Sequence, residues 1–264
     1  MSTVLTGRVV RRVAHVMGMP VSLALRGRHV GDLESESAWA EAVATLRDVD
    51  RVFSTYRADS FVSRLDRGVL DLVDCPPEVA EVLALAERAR RESGGAFDVR
   101  RGGRLDPSGV VKGWAVERAA RPLRHHLDDT DFCLSAGGDL VCHVADPARP
   151  PWRIGIEDPH DPTRVVAVVP VRDGAVATSG LAHRGGHVVD ARTGQVPRAL
   201  ASVSVVADDL VTADVDATAA FALGAEGPDW LARRPGRTGV VVQADGRLRV
   251  LGEWTVGEGA PRGR

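Results

Sequence analysis

The residues best suited to chemistry in this chain lie in a few glycine-bearing segments. In LDPSGVVKG, Asp106 and Ser108 precede Gly109, and Lys112 stands where the pattern turns helical. An anion such as a phosphate would meet backbone N–H groups, a positive helix end and an ammonium together there. The same residues also suffice for a plain helix cap followed by a solvated lysine. Lys112 is the one lysine among 34 Lys and Arg residues, and it offers a compact point charge that a planar guanidinium does not reproduce.

In TADVDATAA, Asp214 and Thr218 are four residues apart and share a helix face, while Asp216 points elsewhere. A carboxylate and a hydroxyl on one face suit a hard, oxygen-seeking cation such as Mg²⁺; an N-terminal cap with a helix-facing threonine uses the same residues. The segment TSGLAHRGGHVVDARTGQ carries His187, a proton acceptor near neutral pH, and Asp190. On a strand these two face opposite sides, so a direct pair requires a bend. SAGGDL and GAFDV add glycines that admit a close backbone approach beside Asp139 and Asp98. His125 and His126 close an arginine-rich helix and read as solvated surface. No phosphate-binding P-loop, serine-nucleophile elbow, zinc-protease helix or dinucleotide fingerprint is present.

These residues need rigid elements to position them. Branched apolar runs from about Arg8 to Leu25, split by Met17-Gly18, predict a strand pair. Helices are expected from about Glu36 to Thr55, from Pro77 to Gly94, from about Lys112, from about Asp209 to Leu223, and briefly near Trp230. FSTYRADSFVSRL reads as a polar loop. Later strands are expected in FCLSAGGDLVCHV, WRIGIEDP, RVVAVVPVR, AVATS, HVVDA and ASVSVVA, with a last hairpin around Val240 and Leu248. The mixture without strict alternation argues for an α+β fold.

At 264 residues, with 44% hydrophobic and 27% charged content, the chain can bury a sizeable core, which excludes a disordered or disulfide-scaffold protein. A net charge of -2 excludes a global field that attracts nucleic acid. Cys75, Cys133 and Cys142 show no metal or redox spacing and read as buried reduced thiols. No stretch has the length of a membrane span or the apolar core of a signal peptide, so a cytoplasmic location is expected.

Read in order, eight segments resemble the FAD:protein FMN transferase (ApbE) family. They are MGMP at Met17 to Pro20, FSTYRADS at Phe53 to Ser60, AFD at Ala96 to Asp98, DPSGVVKG at Asp106 to Gly113, AGGD at Ala136 to Asp139, ATSG at Ala177 to Gly180, HVVDARTG at His187 to Gly194 and DVDAT at Asp214 to Thr218. The resemblance implies one globular α+β unit over residues 1–256, with mixed or antiparallel sheets, packed helices and a relation to the T-fold; residues 257–264 are expected to be a disordered tail. It implies FAD as substrate, Mg²⁺ as cofactor, and transfer of FMN to a Ser or Thr hydroxyl of an acceptor flavoprotein with release of AMP. FAD hydrolysis to FMN and AMP, or flavin binding without turnover, are the alternatives.

On the same resemblance, Asp214 and Thr218 hold Mg²⁺ with the backbone at Gly109 and Ala217. Met17, Tyr56, Ala96, Phe97, Asp98, Asp106 and Lys112 line the flavin nucleotide, and Val188 contributes its backbone. His187 is the general base, and Asp214 is catalytic through the ion. Met19 in MGMP and Ala191 after Asp190 depart from the family's usual residues.

Overall fold

The structure is a computed structural model, and it describes residues 9–182 and 188–252. The expected tail 257–264 and His187 lie outside the described residues. The chain opens with β1 (Val10–Val16) and β2 (Met19–Gly27), followed by α1 (Leu33–Phe53), α2 (Phe61–Asp66) and α3 (Pro77–Glu92). A two-strand ribbon, β3 (Arg100–Arg101) and β4 (Arg104–Leu105), leads into α4 (Ser108–His126). Then come β5 (Thr130–Ala136), β6 (Asp139–His143), β7 (Trp152–Asp158), β8 (Asp161–Val171), β9 (Gly174–Gly180) and β10 (Leu200–Ala207). Helices α5 (Leu210–Ala222) and α6 (Gly227–Ala232) precede β11 (Thr238–Gln243) and β12 (Leu248–Leu251).

Eight strands form one sheet in the order β1-β2-β5-β6-β9-β10-β11-β12, and each of its neighbouring pairs runs antiparallel. Period-2 alternation sorts the side chains between two faces. Leu134, Val141, Ala175, Ala177, Val203 and Val205 face the helices and belong to the main core. On that face α5 lies against β9 and β10, α4 lies against β5 and β6, and α1 packs on α4. Because α5 is covered by both sheet and helix, its apolar residues run all round it. The opposite face carries Cys142 and Val176, which with Ile156, Val169 and Val171 form a smaller core under the separate β7-β8 hairpin.

Several local expectations are corrected. Helix α4 begins at Ser108 rather than about Lys112, because Pro107 already holds a φ of -82° and Asp106 Oδ1 accepts from the Ser108 N–H at 3.1 Å. Lys112 therefore sits one turn inside the helix. FSTYRADSFVSRL contains α2, whose Ser60 hydroxyl caps it by accepting from the Ser63 N–H at 3.1 Å. Within the described part of HVVDA no strand forms. Asp190 makes a lone bridge with Gln195 around the turn Ala191–Gly194, and its carboxylate takes the Arg192 N–H at 2.9 Å. Of the thiols, Cys142 is buried, whereas Cys75 and Cys133 are half-buried.

Candidate active site

The floor of the site is set by strand parity. Asp139 opens β6 and shares the helix-facing side with Val141, so its carboxylate points at α4 and α5. One oxygen accepts from the Thr178 N–H of β9 at 3.0 Å. The other forms an ion pair with Lys112. The Lys112 ammonium also lies 3.3 Å from Asp214 Oδ1 on α5, while Asp214 Oδ2 accepts from the Gly113 N–H at 2.9 Å. One cation thus sits between two carboxylates that are almost fully buried.

The electrostatics follow from that count. Burial alone would pull the Lys112 ammonium toward neutrality, but the two carboxylates overcome this and hold its pKa above the ordinary lysine value. Burial raises the Asp214 carboxyl to about 7, with Asp139 adding repulsion and Lys112 opposing both. One positive and two negative charges leave a net single negative charge in a poorly hydrated site, and proton uptake at Asp214 relieves it.

Close helix packing makes this geometry possible. A Cβ on Gly113 would stand 2.7 Å from the Leu210 carbonyl oxygen and 2.9 Å from Asp214 Cβ, so only glycine lets α4 and α5 approach this closely. Gly109, one turn earlier, packs under the Phe97 ring, where a Cβ would meet Phe97 Cε2 at 3.1 Å. Thr218 lies one turn after Asp214, and its hydroxyl hydrogen-bonds the Ser179 hydroxyl of β9 at 3.0 Å. Asp216 faces away and takes Arg234 and Arg237, each at 2.9 Å.

These groups open onto a cavity of about 890 Å³. Its wall brings together Tyr56, Ala96, Phe97, Asp98, Asp106, Gly109, Lys112, Val188, Asp214 and Thr218. Two expected site residues lie off that wall. Met17 occupies the β1-β2 turn with φ +56° and packs half-buried against the core; the Ala217 side chain, on α5, is fully buried in the core. Tyr56 is 99% exposed, so its ring is free at the cavity mouth. Asp98 takes the Arg100 N–H at 2.7 Å. The segment after Val188 is tied to AFD by the Ala191 N–H, which donates to the Ala96 carbonyl at 3.0 Å. Asp190 is held by Arg192, whose Nε is 2.9 Å from Oδ1, and this contact keeps its carboxyl below the usual carboxylate range.

Asp139 pairs with Lys112, and Ser179 and Ser202 lie on the cavity wall; Asp139 and Ser179 fall in segments that the sequence singles out, but none of the three carries an assigned role there. Alternation along β6 was the available signal for Asp139, because it shares parity with the buried Val141. Ser202 is buried on the cavity wall, and its hydroxyl has no hydrogen-bond partner among the described residues. Nothing local to β10 distinguishes it from Ser204, which bonds the Thr178 hydroxyl at 2.8 Å. A second cluster, His29, Asp32 and Glu34, lies at the start of α1. There Asp32 caps the helix by accepting from the Ser35 N–H at 2.9 Å.

An antiparallel sheet with helices on one face is a fold with solved counterparts. The ApbE protein of Thermotoga maritima superposes with a TM-score of 0.82 at 20% identity, over 92% of this chain and 97% of that one. The flavinyl transferase ApbE of Pseudomonas stutzeri gives 0.78 at 22% identity, over 95% and 97%. These likenesses show the fold. The ApbE family model matches residues 17–103 and 99–242, and the chain belongs to the ApbE family.

Curated relatives carry the name FAD:protein FMN transferase. The Haemophilus influenzae protein is 26% identical over 72% of this chain and 73% of its own length. The Rhodobacter capsulatus protein is 34% identical over 66% of this chain, but only 31% of its own length is matched. Among the described residues, no helix is long and apolar enough to cross a membrane.

Proposed function

We propose that this protein is an FAD:protein FMN transferase, which moves FMN from FAD to a Ser or Thr hydroxyl of an acceptor flavoprotein and releases AMP. The observation that carries this reading is the pair Lys112 and Asp214 on the wall of a cavity of about 890 Å³, with the buried Asp139 carboxylate paired to Lys112; that volume suits a small-molecule substrate. Membership in a family whose curated relatives bear that name supports it.

The donor set fits Mg²⁺. Its groups are oxygens, its net charge is negative, and Asp214 binds a proton unusually well. Asp214 and Thr218 would hold the ion with main-chain oxygens near Gly109 and Ala217, and bound Mg²⁺ would neutralise pyrophosphate charge. Lys112 is pinned by two carboxylates and adds a fixed ammonium beside the phosphates, so the site spends no reorganisation in turning toward developing charge.

Phe97 packs on Gly109 on the cavity wall, and the exposed Tyr56 ring is available to stack on an aromatic ring of the dinucleotide. Asp106 and the N-terminus of α4 border the same cavity and orient FAD. In the transfer step the acceptor hydroxyl oxygen attacks the FMN phosphorus, the bond to the AMP oxygen breaks, and the hydroxyl proton passes to a base. His187 adjoins Val188 of the cavity wall in sequence and takes that role.

The test is incubation of the purified protein with FAD, Mg²⁺ and a flavoprotein from the same cell. The expected result is AMP together with an acceptor heavier by one FMN less one water. Free FMN released at the same rate with and without acceptor would assign a hydrolase instead, and FAD binding without AMP release would overturn catalysis altogether.

A further inference from the structure

Cys133 on β5 and Cys142 on β6 are register partners across the hairpin. Gly137 and Gly138, both at positive φ, form its two-residue turn, so Ala136 and Asp139 are the hydrogen-bonded pair that closes it. Hydrogen-bonded and non-hydrogen-bonded pairs alternate along an antiparallel ladder, and three steps from the turn Cys133 and Cys142 fall on a non-hydrogen-bonded pair. Such pairs bring Cα atoms to about 4.5 Å with the side chains close, inside the roughly 4.4–6.8 Å that a disulfide requires.

Both thiols project from the face away from the helices, into the small core beneath β7-β8 with Ile156 and Val176. They hydrogen-bond each other, which draws the Cys133 thiol below its ordinary pKa. The same bond, reinforced by burial, raises that of Cys142. Cys133 is half-buried and Cys142 is buried, so Cys133 is the more accessible residue of the pair.

We infer that Cys133 and Cys142 form a peroxide-oxidisable dithiol, a covalent modification site on the hairpin that carries Asp139. The Cys133 thiolate attacks one oxygen of hydrogen peroxide, forming an S–O bond as the O–O bond breaks and hydroxide leaves. The Cys142 sulfur then attacks the Cys133 sulfenic acid, forming the S–S bond as water leaves with the Cys142 proton. Two thiols are oxidised, one peroxide is reduced, and two waters result. The bond closes a loop over residues 134–141 and so tethers Asp139, the partner of Lys112.

Peptide mapping of the full-length protein tests this directly. No Lys or Arg lies between Arg124 and Arg149, so trypsin leaves both cysteines on one peptide. After hydrogen peroxide that peptide should be lighter by two hydrogens and refuse iodoacetamide until reduced, while Cys75, whose thiol burial raises, still alkylates. In Cys142→Ser, peroxide should leave a Cys133 sulfenic acid that dimedone traps. Two alkylatable cysteines after peroxide, or a Cys133 sulfinic acid beside a free Cys142 thiol, would overturn the inference. The unsubstituted protein alone decides it, whatever the stability of the variant.

Discussion

The Gly113 N–H donates to Asp214 Oδ2 at 2.9 Å, joining the second turn of α4 to the second turn of α5 through a single buried hydrogen bond. The bond exists because Gly113 has no Cβ to hold the helices apart. It aims the other oxygen of Asp214 at Lys112 and the cavity.

Gly113→Ala should therefore damage stability and site together. A methyl forced against the Leu210 carbonyl and Asp214 costs about 1–3 kcal/mol as overpacking. Urea denaturation should show the loss as a lower midpoint with an unchanged slope, and a midpoint equal to that of the native chain would contradict the close approach.

Asp214→Asn keeps the shape of the side chain but removes its charge. If Asp214 holds the ion, AMP release should fall by about two orders of magnitude or more, and the response of activity to Mg²⁺ should shift to far higher concentrations. FAD binding by fluorescence should survive, since the cavity wall is otherwise intact. Unchanged turnover would remove Asp214 from the mechanism.

Lys112→Arg and Lys112→Met separate charge from geometry. Arginine keeps the positive charge but asks a planar fork to fill the space of a compact ammonium, so turnover should drop roughly 10- to 100-fold with folding retained. Methionine leaves Asp139 and Asp214 facing each other uncompensated and should cost about 3–5 kcal/mol of stability at neutral pH. Thermal melts beside turnover assays distinguish the two effects.

The pH dependence has a defined sign. The folded state holds the Asp214 proton more tightly than the unfolded chain, whose carboxyl titrates near 3.8, so this group favours folding below that value. The contribution is lost as pH rises through about 7. Lys112, held above its ordinary value, stays charged throughout that window. Without metal, the native chain should lose thermal stability relative to Asp214→Asn between about pH 5 and about pH 8. Mg²⁺ should recover most of it at the alkaline end. Parallel melting curves for the two chains at both ends of the range would disprove the shift.

Much of this molecule is written locally in its residues. Apolar spacing placed α1, α3 and α5 to within a few residues, and the turns at Gly18 and Gly246 marked two hairpins, because helix periodicity and positive-φ glycines are short-range properties. The four-residue spacing of Asp214 and Thr218 put both on one cavity wall for the same reason. Asp139 was a different case. Its glycine-bearing segment stands out in the sequence, but its role depends on a cation supplied from α4 and on the register of β6 with β9, which are contacts between distant parts of the chain.

Cys133 and Cys142 make the same point. Nine positions apart they match no motif, and only the hairpin register sets them face to face. Met17 marks the converse, since it lies in a motif segment and yet packs against the core off the cavity wall. Residue type and spacing specified which elements form and which groups have reactive chemistry. Which charges share one desolvated volume was decided by the packing of α4 and α5 on the sheet, where a missing Cβ at Gly113 sets the distance.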